Sequence, residues 1–181
     1  MGDVEVFVAD EQTTHDIDAD RYARLSHLVL EAEGVRGDVE MSLLFVEQDF
    51  ISALNGTHMG VTGPTDVLAF PIDDHNLRAG RSPDNASRRP PKREPMADPG
   101  PLLLGDVVVC PSVAQTNAAA NARSYPGHGG ELIDEVDLLV VHGILHILGM
   151  DHAEDHDRRH MQAAERQHLA AFRGMTGELG G

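Results

Sequence analysis

Cysteine is nearly absent from this chain of 181 residues, and a lone Cys110 excludes an intrachain disulfide. That usage fits a reducing compartment, so a cytoplasmic location is expected. The stretch from Met1 to Val6 is acidic and has no basic segment leading into an apolar one, so no secretory signal is read there. Apolar runs long enough to cross a bilayer are also lacking, which excludes a membrane partner by that route. Basic residues are scarce, with Lys+Arg 14 against Asp+Glu 30 and a net charge of −16 at pH 7. Such an acidic surface excludes non-specific binding of nucleic acid by the molecule as a whole, and DNA is not expected as a partner. No internal repeat or heptad pattern is present, which excludes solenoids and coiled coils.

What remains is enough for one domain over residues 1–181, since 41% hydrophobic content builds a proper core. Alternation predicts a first strand over Val4–Val8, and helical spacing of Tyr22, Leu25, Leu28, Val29 and Ala32 predicts a helix over Asp20–Glu33 closed by Gly34. A second strand is expected over Val39–Val46, a short helix over Glu47–Leu54, and a third strand over Thr65–Pro71. Residues 75–100 read as a flexible loop insertion whose charge is locally basic: Arg78, Arg81, Arg88, Arg89, Lys92 and Arg93 face only Asp84, Glu94 and Asp98. Its arginines have no interleaved aromatics, so any contact with a polyanion would run through phosphates rather than stacked bases. A more buried strand follows over Leu102–Val109, then a helix from Pro111 to about Arg123.

The long helix expected over Glu131–Leu148 is apolar nearly all round and should run through the middle of the domain, with Glu131, Asp134 and Glu135 complementing its dipole. A final amphipathic helix is expected from Asp151 onward. This order implies an α+β fold, with a mixed sheet of about four strands packed against several helices and the buried central helix carrying the chemistry.

That chemistry lies in the segment from His142 to His152. His142 and His146 are four apart, so on a helix both imidazoles leave one face, one turn apart. Gly149 stands where the helix would end in a left-handed residue, letting the chain reverse and bring His152 to the same point. Unpartnered imidazoles in so apolar a helix would be costly, which favours a shared metal over chance histidines. Three histidines without a partner cysteine pair point to one zinc ion with an open fourth position. The spacing is similar to that of metzincin peptidases, but Gly143 replaces the glutamate that serves them as general base. Peptide hydrolysis is therefore disfavoured.

No catalytic residue is assigned beyond the metal ligands. Asp106 and Asp151 are candidates for proton transfer or for orienting a histidine, yet a carboxylate at a strand bend and an N-cap of the last helix are the preferred accounts. Asp66 and Thr65 read as turn and strand-start hydrogen-bonders. His156 and His160 continue the spacing of four but lie among Glu154, Asp155, Asp157, Arg158 and Arg159, a pattern of a solvated face. Cys110 reads as a small buried residue, and His58 as a residue near the site.

Two further strings bear a family likeness. Asn55 followed by the run from Gly63 to Pro71 resembles the PTDVLSFP signature of the YbeY family, and Leu104 to Val109 resembles its LGDIVIS strand. The block from His142 to His152 matches the family motif HGxLHLxGxDH, with Ile147 in place of a leucine. The resemblance implies a zinc-dependent endoribonuclease specific for single strands, acting in ribosomal RNA maturation at the 16S 3′ end and in ribosome quality control. It implies one zinc on His142, His146 and His152, and the small ribosomal subunit or its assembly factors as partners. Alternatives are an assembly factor whose zinc is mainly structural, and a zinc metallopeptidase. One departure stands out: Met59 occupies a position where many members carry an arginine implicated in cleavage. The missing cation would then come from elsewhere, the basic loop included, or the nuclease would be slower. Attack by the ribose 2′-OH, leaving a cyclic phosphate, and attack by zinc-bound hydroxide, leaving a linear one, both stay open.

Overall fold

In Val39–Phe45 every second residue is buried, and the chain extends as a strand to keep Val39, Met41, Leu43 and Phe45 on one face. The computed structural model describes residues 3–72 and 100–178. In chain order the elements are β1 (Val4–Asp10), α1 (Ala19–Ala32), β2 (Val39–Phe45), α2 (Gln48–Leu54), a π-helical turn (Asn55–Met59), β3 (Val67–Pro71), β4 (Leu102–Val109), α3 (Pro111–Ala118), α4 (Leu132–Ile147) and α5 (Asp155–Glu178). The four strands form one sheet in the order β1-β2-β4-β3, with β1, β2 and β4 parallel and β3 antiparallel to β4. The architecture is α+β with a mixed sheet, as expected.

The two faces of the sheet carry unequal cores. Met41, Leu43, Phe45, Val107 and Val109 pack against Leu25, Val29 and Leu30 of α1 and Val140, Val141, Ile144 and Leu145 of α4. Alternation sends Val108 the other way, where it joins Leu68, Val46, Ile51 and Cys110 in a smaller cluster around α2. Burial of each such aliphatic side chain contributes about 1.5–3 kcal/mol, so the larger cluster anchors α4. Gly143 lets that helix approach the sheet closely, because a Cβ there would stand 2.5 Å from Cγ1 of Val107.

Three expectations need correction. The helix from Pro111 ends at Ala118, not near Arg123: Arg123 takes a left-handed φ of 70° and donates its N–H to the His128 carbonyl, closing a loop instead. The last helix begins at Asp155, not Asp151, because its first turn is closed by Arg158 N–H on the Glu154 carbonyl. Asp151 therefore does not cap it; its carboxylate accepts the N–H of His152 at 2.7 Å, within the connecting loop. The basic insertion at 75–100 lies outside the described residues save Gly100. Among the described residues no helix is long and apolar enough to cross a membrane.

Candidate metal centre

Helix α4 ends at Ile147, and the way it ends builds the site. Gly149, at φ 93°, donates to the His146 carbonyl at 2.9 Å, while Met150 donates to the Leu145 carbonyl at 3.0 Å. These paired bonds close the helix around a left-handed glycine and reverse the chain. His142 and His146 stand in the last turns, and the reversal carries His152 back to them. One nitrogen from each of the three lies within 4.8 Å of the others. Their ring centroids are separated by 4.5 Å (His142–His146), 5.0 Å (His146–His152) and 5.8 Å (His142–His152). No other His, Cys, Asp or Glu atom joins this cluster among the described residues.

A carboxylate that periodicity did not reveal fixes the ring of His142. Glu165, on α5 and almost fully buried, accepts a hydrogen bond from His142 Nδ1 at 2.6 Å through Oε1, and another from the Tyr125 hydroxyl through Oε2. Burial, and then this bond to Glu165, push the Tyr125 hydroxyl pKa well up, so it stays a donor. With the proton on Nδ1 directed to Glu165, Nε2 of His142 presents a lone pair. That atom lies 3.1 Å from Nε2 of His146. Burial first, then the neighbouring His142 and His152, lower the His146 pKa and favour its neutral, ligating form. Two such lone pairs at this distance repel unless a cation or proton is shared, and ligands about 2.0–2.1 Å from a tetrahedral zinc stand roughly 3.3 Å apart. The donor set fits a divalent metal with an open position.

The cluster borders, through His142 and His152, a cavity of about 220 Å³ also lined by Tyr125, Arg158, Met161, Gln162 and Glu165. Arg158 lines this cavity while staying exposed, as its charged neighbours lead one to expect. His156 and His160 are exposed as expected, His156 lying 3.4 Å from Asp157. Asp66 is tied into structure: its carboxylate accepts from Asn117 Nδ2 at 3.2 Å and its carbonyl from the Cys110 N–H. The Thr65 hydroxyl lies against the same carboxylate. Half-buried Asp106 pairs in register with Phe70 and does not line the cavity. His58 packs edge-on to Phe70 and is likewise absent from the lining. Cys110 is buried in the smaller core. At position 143 a side chain would run into Val107, so a zincin-type glutamate has no room there.

A family model described as endoribonuclease YbeY matches residues 7–173. An endoribonuclease YbeY of Salinispora tropica is 39% identical over 158 residues, covering 87% of this chain and 90% of that protein. The corresponding proteins of Frankia casuarinae and of a Nocardioides species are 40% and 39% identical over 93% and 90% of this chain, and 75% and 94% of their own lengths. In three dimensions, the chain aligns with a Thermotoga maritima protein solved in solution at a TM-score of 0.53 and 22% identity, over 96% and 92% of the two chains. That likeness concerns the fold.

Proposed function

The chain belongs to the endoribonuclease YbeY family, and from that premise we propose that it cleaves single-stranded RNA at a zinc ion held by His142, His146 and His152. Its role is maturation of ribosomal RNA precursors at the 16S 3′ end and ribosome quality control, on the small subunit or with assembly factors, in the cytoplasm. The observation that carries the reading is the oriented triad: three convergent imidazoles, one held by Glu165, beside an open cavity. Bound there, zinc supplies positive charge to a phosphate oxygen and so stabilises the charge that builds up during cleavage. The protein's part is to keep the three lone pairs convergent, to hold the proton of His142 on Nδ1 through Glu165, and to leave one side of the centre open. A mainly structural zinc would call for a closed set of four ligands, which the cluster lacks among the described residues. Peptidase action is opposed by the packing of Gly143 on Val107.

The test is incubation of the purified protein with labelled single-stranded RNA and with casein, each with and without chelator. RNA cut only without chelator, with casein intact, is the expected result. Cleavage of casein alone points to a peptidase, and cleavage of neither to an assembly factor.

A further inference from the structure

An acidic protein that cleaves a polyanion needs positive charge where the phosphate sits, and the structure offers one side chain for it. Among the described residues, Arg158 is the only Lys or Arg lining the cavity shared with His142 and His152. Met59, which stands where the family resemblance leads one to expect a cation, does not line it. Resting on the nuclease reading above, we propose that Arg158 is the phosphate-binding residue of this site and, with Gln162, forms a subsite for the RNA backbone beside the metal.

Three features support this assignment. First, Arg158 and Gln162 are four apart on α5, so both leave the face of the helix that lines the cavity. Second, Arg158 is lightly held. Its contact with Asp155 is 3.6 Å long with both partners exposed, a pair that water screens and a phosphate can displace. The planar guanidinium can then offer two parallel N–H groups to two phosphate oxygens. Third, the carboxylate beneath does not repel an incoming phosphate as a bare charge would, because Glu165 is engaged on both oxygens by His142 and Tyr125. A phosphate in this cavity is therefore bordered by His142, His152 and Arg158.

Arg158→Gln, Arg158→Lys and the unaltered protein, all loaded with zinc, are compared in two measurements. In single-turnover cleavage of labelled single-stranded RNA, Arg158→Gln is expected to lower kcat/KM roughly tenfold to 10²-fold, less than loss of a buried donor. Arg158→Lys should recover part of that loss, since it keeps the charge but not the fork. In calorimetric titration with inorganic phosphate, Arg158→Gln is expected to weaken binding about tenfold at unchanged zinc content. Equal cleavage and equal phosphate affinity in the unaltered protein and Arg158→Gln would overturn the assignment and leave the nuclease reading intact. Phosphate binding that depends on Arg158, in a protein that cuts no RNA, would support the subsite and sink the nuclease reading instead. Failure of both cleavage and phosphate binding in the unaltered protein overturns both.

Discussion

Helix α4 contributes to two histidine–carboxylate pairs, one near each end, and only the second borders the cluster of three histidines. Near its start, Glu135 meets His128 at 2.8 Å; near its end, His142 meets Glu165 at 2.6 Å. The first pair is closed. Nδ1 of His128 accepts the Gly130 N–H at 3.2 Å, and the other oxygen of Glu135 accepts from Asn121 at 2.7 Å, so each polar atom has a partner. At the second pair the carboxylate is equally engaged, but the far nitrogen of His142 faces other imidazoles and a cavity. A buried histidine–carboxylate pair is thus no mark of function. What distinguishes the site is the nitrogen left over, and the side chains of His128 and His142, 1% and 27% exposed, differ accordingly.

The sharpest way to break the comparison is to remove one of the three clustered histidines. His152 is exposed in its loop, so His152→Ala should fold normally. Structural zinc sites bind with about 10–16 kcal/mol over four ligands, so one imidazole is worth roughly 2.5–4 kcal/mol, or about 10²–10³-fold in affinity. Elemental analysis after dialysis should find the variant largely free of zinc, with RNA cleavage lost. Full occupancy would move the third ligand elsewhere, and exposed His156 is the nearest alternative in sequence.

The closed pair should fail in the opposite sense. His128→Ala leaves the Glu135 carboxylate buried with Asn121 as its one remaining partner. Losing a hydrogen bond to a buried charged group costs about 1.5–3 kcal/mol, to be read by urea unfolding, while zinc stoichiometry stays at one per chain. Loss of zinc in a folded His128→Ala protein would contradict the distinction drawn between the two ends of the helix.

This contrast also shows where reading the chain as text succeeds. The bounds of β4, the Gly149 reversal and the convergence of His142, His146 and His152 are local patterns, set by residues within a dozen positions, and spacing alone reveals them. Glu165 and Tyr125 are 23 and 17 residues from His142, and nothing in their own neighbourhoods announces that they meet. Glu135 was legible only as an acidic residue suited to the helix dipole, because burial depends on the loop that folds over it. Arg158 was hidden for a related reason. Its charged neighbours describe a solvated face, and the side chain is indeed exposed, but they do not tell that this face borders the cavity. The start of α5 is not legible at Asp151, because an aspartate that serves its own loop has the same signature as one that caps a helix.

Between the two extremes lies Glu165→Gln, which keeps the shape of the side chain but removes its charge. The amide can still accept from His142, but more weakly, and Tyr125 loses a charged partner. Loss of such an outer partner lowers metal affinity about 10–100-fold. Competition with a chromophoric chelator measures this directly, and the visible spectrum of the cobalt-substituted protein should shift as the His142 ring loosens. Unchanged affinity and spectrum would reduce Glu165 to a packing residue, equivalent to Glu135.

The smallest expected effect belongs to Tyr125→Phe. The ring is half-buried, its hydroxyl donates only to Glu165, and Arg166 lies over its face at 5.6 Å. Removing the hydroxyl deprives one carboxylate oxygen of a donor while the other keeps His142. Stability should fall by about 1–2 kcal/mol, the net worth of a hydrogen bond to a charged group in a partly wet site. Metal affinity should fall less than in Glu165→Gln, by a few-fold at most, because the effect reaches the metal through two intervening groups. Measured with the same chelator, the ranking of His152→Ala, Glu165→Gln and Tyr125→Phe should follow the number of bonds between each residue and the metal. A Tyr125→Phe protein that loses as much affinity as Glu165→Gln would mean that the hydroxyl, not the carboxylate charge, sets the orientation of His142, and the order of control inferred at this end of α4 would have to be reversed.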